Sequence, residues 1–293
     1  MIYEFAVDPE ALNNWRTFIY VIEKFGVSKG RLISRFPKRW ERAVLDSYKE
    51  NSVVNKSKII EILSKVKELY YYSGRVYDTN KKWIDNAIEQ HNLTNFRAIL
   101  TSMNIENNSD VLNIDEFDES NEKFKISTGM KVKRKAKDMG DCIGSLLNIS
   151  KEIIFVDPHF APDATHSRFT NPLKEFLKYI DINKYVRVEY HIKQKANIEY
   201  FENCCQENIS HLLPERIQLK FVRWQDKGLT ESLHARYILT DRGGVSVENG
   251  LDEGQGEDTT DINLLDDALY KQRWEQYQKE TSPFKFVDEI VIG

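Results

Sequence analysis

What this chain has little of narrows its possibilities first. Three cysteines in 293 residues, two of them adjacent at Cys204 and Cys205, cannot build a disulfide framework, and a reducing cytoplasm is the expected compartment. No stretch approaches the roughly 20 apolar residues of a membrane span. The start, MIYEFAVDPEALNNWR, has no basic segment followed by an apolar run, so a signal peptide is not expected either. No segment repeats at a fixed period, which excludes solenoids. Charge of one sign is also lacking: 42 Lys and Arg stand against 46 Asp and Glu, a net of −4. That balance argues against a surface uniformly coating nucleic acid, while local patches stay open.

What is present is ordinary core material, 41% hydrophobic and 12% aromatic, enough for two modest domains or one large one. Residues 1–105 read as an all-α helical bundle domain. Asp8 and Pro9 form an N-cap pair, and Leu12, Trp15, Phe18, Ile19 and Ile22 follow at helical spacing up to Gly26. Further helices are expected at 37–48, 56–77, 83–88 and 96–103. The run 28–42 interleaves cations with Phe36 and Trp40, a pattern that suits a nucleic-acid backbone with stacked bases, although core aromatics beneath a solvated face explain it as well. Residues 106–124 are polar and acidic and read as a linker.

Residues 125–293 alternate strand and helix, which predicts an α/β domain, an α-β-α sandwich around a mixed sheet. It opens on the basic cluster KVKRKAK, in which Lys131, Lys133 and Arg134 are candidates for steering a phosphate. EIIFVD at 152–157 reads as a strand buried on both faces. In such sheets sites form beyond the carboxyl ends of the parallel strands, and two histidines fall there: His159, directly after the first strand, and His191, near the end of the second.

The most informative stretch is LHARYILTDRGGVSVENGLD, from Leu233 to Asp252. Strand alternation over 233–240 puts His234 and Arg236 on one face, Asp241-Arg242-Gly243-Gly244 makes a tight turn, and Val245-Ser246-Val247 returns as the partner strand. An imidazole beside a guanidinium suits a phosphate: the arginine binds oxygens bidentately while the imidazole attacks phosphorus or passes a proton.

At these residues the chain resembles the phospholipase D superfamily, whose signature is H-x-K-x4-D followed by a turn and a G-S-x-N-like strand. His234, Arg236 and Asp241 match the spacing, with arginine in place of lysine, and Ser246 and Asn249 are similar to the serine and asparagine, three apart instead of two. The resemblance covers roughly the C-terminal 55% of the chain and implies a phospholipase D-like domain. It also implies a metal-independent phosphodiesterase that works through a phosphohistidine, with a second histidine protonating the leaving group, with no cofactor and no metal. Free-standing members with one motif are often nucleases, so a nuclease acting on DNA or RNA, in a prokaryotic anti-phage defence setting and with a partner protein such as an ATPase, is the expected function. The arginine is also similar to the degenerate domain of MIT-domain proteins. That likeness implies the alternative, an inactive module binding an anionic ligand, a membrane headgroup or a protein partner.

Only one motif copy is present, and two-histidine phosphoryl transfer needs both a nucleophile and a proton donor. A homodimer pairing His234 with its mate in a composite site is therefore expected; His159 or His191 as donor would allow a monomer. Asp241 is expected to cap backbone groups. Asp261, in the acidic segment ENGLDEGQGEDTTD, is the first choice for the carboxylate behind a histidine. The same segment raises Mg²⁺ or Ca²⁺ binding as a rival chemistry, without EF-hand spacing.

Overall fold

The computed structural model describes residues 1–48, 53–65, 69–103, 108–162, 167–228 and 232–293. The chain divides into two compact units, Ile2–Ser127 and Thr128–Gly293 with Met1. Both are α/β, with eight α-helices among the described residues.

The first unit corrects the all-α expectation. Its centre is a five-stranded sheet in the order β3-β2-β1-β4-β5, parallel throughout: β1 (Tyr3–Val7), β2 (Arg31–Ser34), β3 (Tyr70–Tyr71), β4 (Ile99–Thr101) and β5 (Val111–Asn113). Helices α1 (Trp15–Lys24), α2 (Trp40–Ser47), α3 (Val53–Lys65) and α4 (Trp83–Leu93) lie between the strands in sequence. Alternation along β1 sends Phe5 and Val7 into one buried cluster with Phe18, Trp40 and Ile59. Ala6 goes into another with Trp83 and Ile99, so both faces of the sheet are covered. The strands are only two to five residues long, and runs so short carry no period that separates them from pieces of helix.

Of the two readings of the basic run the core one holds, while the linker expectation fails. Trp40 is fully buried and its indole N–H donates to the Val7 carbonyl at 2.6 Å, and Phe36 is buried as well, so neither aromatic of the basic run is open to stack on a base. Residues 106–124 are not a linker. Residues 104–107 lie outside the described residues, but 111–113 form β5, and Phe117 and Phe124 meet edge-on, centroids 4.6 Å apart, inside the core.

The second unit carries a mixed eight-stranded sheet, ordered β13-β9-β8-β7-β10-β11-β12-β6. Its strands are β6 (Gly129–Lys133), β7 (Glu152–Val156), β8 (Arg187–Lys193), β9 (Leu219–Gln225), β10 (Tyr237–Thr240), β11 (Gly243–Val247), β12 (Thr259–Leu264) and β13 (Lys285–Ile292). Helices α5 (Ala136–Ile149), α6 (Ser167–Leu177) and α7 (Ile198–Asn208) alternate with β6 to β9, and α8 (Asp267–Gln276) follows β12. Strands β7, β8 and β9 run parallel, and the remaining pairings are antiparallel. One face of β7 to β9 buries a ladder of rings, Phe155 on Phe176 and Tyr190 against Phe160 and Phe221. Such pairs contribute about 0.5–1.5 kcal/mol each beyond the area they bury. The other face packs Ile154, Val156, Trp224 and Leu239 with Tyr277 and Leu265.

No helix among the described residues is long and apolar enough to cross a membrane.

Candidate phosphate site

Topology gathers the site. Strand β10 is antiparallel to β7, with Tyr237 opposite Val156, so the segment that enters β10 meets the segment that leaves β7. Strand β11 ends and β12 begins at that same sheet edge, and β6 ends there with Lys133 opposite Thr259. Residues distant in sequence, Arg134, Asp157, His159, His234, Arg236 and Asn249, therefore share one edge, the carboxyl end of the parallel strands.

The hairpin forms as its sequence predicts, with β10 and β11 joined through Asp241 and Arg242. The Thr240 hydroxyl closes the turn, accepting from the Arg242 N–H and donating to the Gly243 carbonyl. Gly244 is needed for space: a Cβ there would lie 2.8 Å from Leu239 Cδ2 and 3.2 Å from the Ile238 carbonyl. The strand starts later than expected, at Tyr237, and His234 and Arg236 lie on the irregular approach to it. Asp241 accepts from the backbone N–H of Lys151 and Glu152 at 2.8 and 3.1 Å, pinning the start of β7.

Two clefts flank Arg236. One, about 620 Å³, is lined by His234, Arg236, Ser246, Asp261, Asn263 and Arg273. The other, about 300 Å³, is lined by Arg134, Asp157, His159, Arg168, Asn249 and Asp252, again with Arg236. Across this boundary the His159 and His234 rings face each other, centroids 6.1 Å apart and nearly perpendicular. Arg236 is half-buried, and among the described residues its buried Nε has no hydrogen-bond partner. A buried donor left unpaired costs about 1–3 kcal/mol, so an unsatisfied guanidinium nitrogen between two polar clefts is fit to take an anion.

Asp157 holds the second cleft together. It is buried, and its carboxylate accepts the His159 N–H on one oxygen and the Leu251 N–H on the other, both at 2.9 Å. Burial raises its pKa, aided by Asp252 and opposed by those two N–H groups and by Arg236. Gly250, at φ +109°, leaves the room this needs, since a Cβ would stand 2.7 Å from Asp252 and 3.2 Å from Asp157. Arg134 pairs with Asp252, and Arg168 Nε reaches the same carboxylate at 3.5 Å. The His159 imidazole is held below its ordinary pKa, first by partial burial, then by the charges of Lys195 and Arg236, opposed by Asp157, with His234 adding the least. It is therefore neutral at neutral pH.

Other candidates fall elsewhere. His191 is not in the cleft: it is a core histidine, accepting the Trp224 indole N–H on Nδ1 at 3.0 Å and meeting Glu189 through Nε2 at 2.9 Å. That pair of contacts fixes the neutral tautomer, and burial lowers its pKa. Lys131 is exposed opposite Asp261 on the β6–β12 ladder, and Lys133 pairs with Glu257 at 2.8 Å; neither lines the clefts. Asp261 sits on a strand, not in a loop, and shares the His234 cleft, but no described carboxylate is hydrogen-bonded to His234. Ser246 and Asn249 part company, one in each cleft. Three carboxylates of the acidic segment are already engaged: Asp252 with Arg134, Glu253 with the Ala136 N–H and Asn171, and Asp258 with the Gln255 N–H. Among the described residues no three metal-ligating side chains come together. Asp157 and Arg168 were not identified from sequence. Asp157 had a readable signal, its place at the end of an apolar strand; Arg168 had none.

No protein-family model matches the chain, and no characterised protein matches it. Among solved structures it is similar to TrmBL2, an archaeal chromatin protein that shows a novel mode of DNA binding, at 12% identity and a TM-score of 0.30, over 54% of this chain and 55% of that one. The match thus spans about half of that protein, and a likeness so distant carries no argument about function.

Proposed function

We propose that the Thr128–Gly293 unit is a phospholipase D-like, metal-independent phosphodiesterase, most plainly a nuclease, and that its two catalytic histidines, His159 and His234, come from one chain. The observation that supports this best is the edge-on pair of imidazoles beside Arg236, whose buried Nε has no hydrogen-bond partner among the described residues. A nucleophile needs its atom about 3–3.5 Å from phosphorus, and an acid must lie about 3 Å from the leaving oxygen; one phosphoryl group bridges rings at this separation.

Neutral His159 attacks phosphorus, forming a P–N bond as the P–O bond to the leaving alkoxide breaks, and protonated His234 delivers its proton to that oxygen. Water then attacks the phosphohistidine, giving a proton to His234 as the P–N bond breaks. Arg236 holds the non-bridging oxygens throughout. The motif histidine alone would call for a second chain; the His159 partnership removes that need.

Hydrolysis of a chromogenic phosphodiester and of single- and double-stranded DNA and RNA in EDTA tests the reading. Wild type is expected to cut, and His234→Ala to lose roughly 10²–10⁴-fold in rate. Equal traces in both proteins would refute it.

A further inference from the structure

Next to the His159 cleft, at the carboxyl ends of β7 and β8, lies an apolar pocket of about 200 Å³ that the phosphoryl chemistry does not use. Phe160, Phe201, Ile192 and Tyr200 line it, with Lys193 and Lys195 also on its wall. Phe160 directly follows His159, and it is locked in the buried ring ladder, 4.3 Å from Tyr190 and 5.4 Å from Phe221; Phe201 meets Phe221 edge-on at 5.4 Å. The floor is therefore rigid. Tyr200 is different: it stands in the first turn of α7, its N–H accepted by the Asn197 side chain at 2.8 Å, with 60% of the residue exposed. Tyr200 lines the pocket together with Lys195.

The two lysines divide their work. Lys193 is paired with Asp226 at 2.6 Å. Lys195 lies close enough to Asp157 and His159 for each to feel its charge, so it connects the pocket to the place where a scissile phosphate would sit. A cationic phosphate site joined to an aromatic slot has the layout of a nucleotide site, with ring stacking that any base supplies and charge that follows the backbone. A lipid phosphodiester would need a long apolar channel, which a pocket of this size does not offer.

We infer that this pocket is a nucleobase subsite, which makes the substrate of the adjacent site a single strand with an unstacked base flanking the cut phosphate. The inference rests on the His159 and His234 cleft being the phosphodiester site. Tyr200 closes over the base, and Lys195 takes the phosphate next to the one being cut.

The test is binding by full-length protein, in EDTA and in a His234→Ala background that prevents cutting. Fluorescence anisotropy compares a labelled oligothymidylate with an abasic strand of equal length. The base-bearing strand is expected to bind about tenfold more tightly. Tyr200→Phe keeps that preference, while Tyr200→Ala loses it and binds the abasic strand as before. Equal affinity for the two strands, a preference undiminished in Tyr200→Ala, or no binding of either strand would overturn the subsite. Catalysis is read separately with His234 intact. A base preference without strand cutting leaves the subsite standing and removes the phosphodiesterase reading, and cutting without a base preference does the reverse.

Discussion

A histidine serves phosphoryl transfer only in the protonation state its surroundings favour. Partial burial with Lys195 and Arg236 nearby keeps His159 neutral to lower pH than an ordinary imidazole. A nucleophile must be neutral, so if His159 is the proposed nucleophile the acid limb of the rate profile is expected below the usual histidine value near 6.5. Raising the pH through that limb is expected to restore activity, and lowering it to remove activity by protonating His159. Lys195→Gln deletes one cation that disfavours the imidazolium, so the limb is expected to move to higher pH, as kcat/KM against pH in the two proteins would reveal. An unmoved limb would mean that His159 is not the group titrating. Sequence reading could find His234 and Arg236 from the hairpin signature and His159 from its place at a strand end. It misplaced His191 because strand ends alternate: His159 follows β7 beyond its last residue, while His191 is still within β8, facing Trp224 in the core.

At the scale of elements, the hairpin was legible because turn chemistry and strand alternation coincide in TDRGGVSV. The role of Gly244 was only half readable. Sequence reading assigned both glycines to turn dihedrals, whereas Gly244 is required by the approach of Leu239, Leu265 and the Ile238 carbonyl. Gly244→Ala is expected to destabilise the protein by about 1–3 kcal/mol, as overpacking does, measured as a lower midpoint of urea unfolding with an unchanged slope. Strands β1 to β5 were not legible: β3 is two residues long, and β4 lies in the run Arg97–Met103, whose apolar centre fits one turn of helix as well as one short strand. Only the partners on either side decide between them, and those partners are distant in sequence. Strand β12 hid for another reason, since its exposed Asp261 and Asn263 alternate with buried Thr260, Ile262 and Leu264 directly after an acidic stretch that reads as loop.

For the whole molecule, the division into two units was readable and its position was not. The acidic composition of residues 106–124 suggested a linker, yet Phe117 and Phe124 anchor that segment in the first unit's core and the division falls after Ser127. Two aromatic residues outweigh a run of carboxylates because each buried ring contributes roughly 1.5–3 kcal/mol, while the charges remain in water. All the residues assigned to the phosphate site, from Arg134 to Arg273, belong to the second unit. Under the proposed mechanism one chain would supply both histidines, with no need for a composite site between two copies.

The most direct test of that claim is metal-free hydrolysis of a chromogenic phosphodiester by wild type, His159→Ala, His234→Ala and an equimolar mixture of the two variants. A pair working within one chain predicts that each substitution abolishes turnover and that the mixture stays as inactive as its components. Full activity in His159→Ala, or turnover regained on mixing, would contradict it.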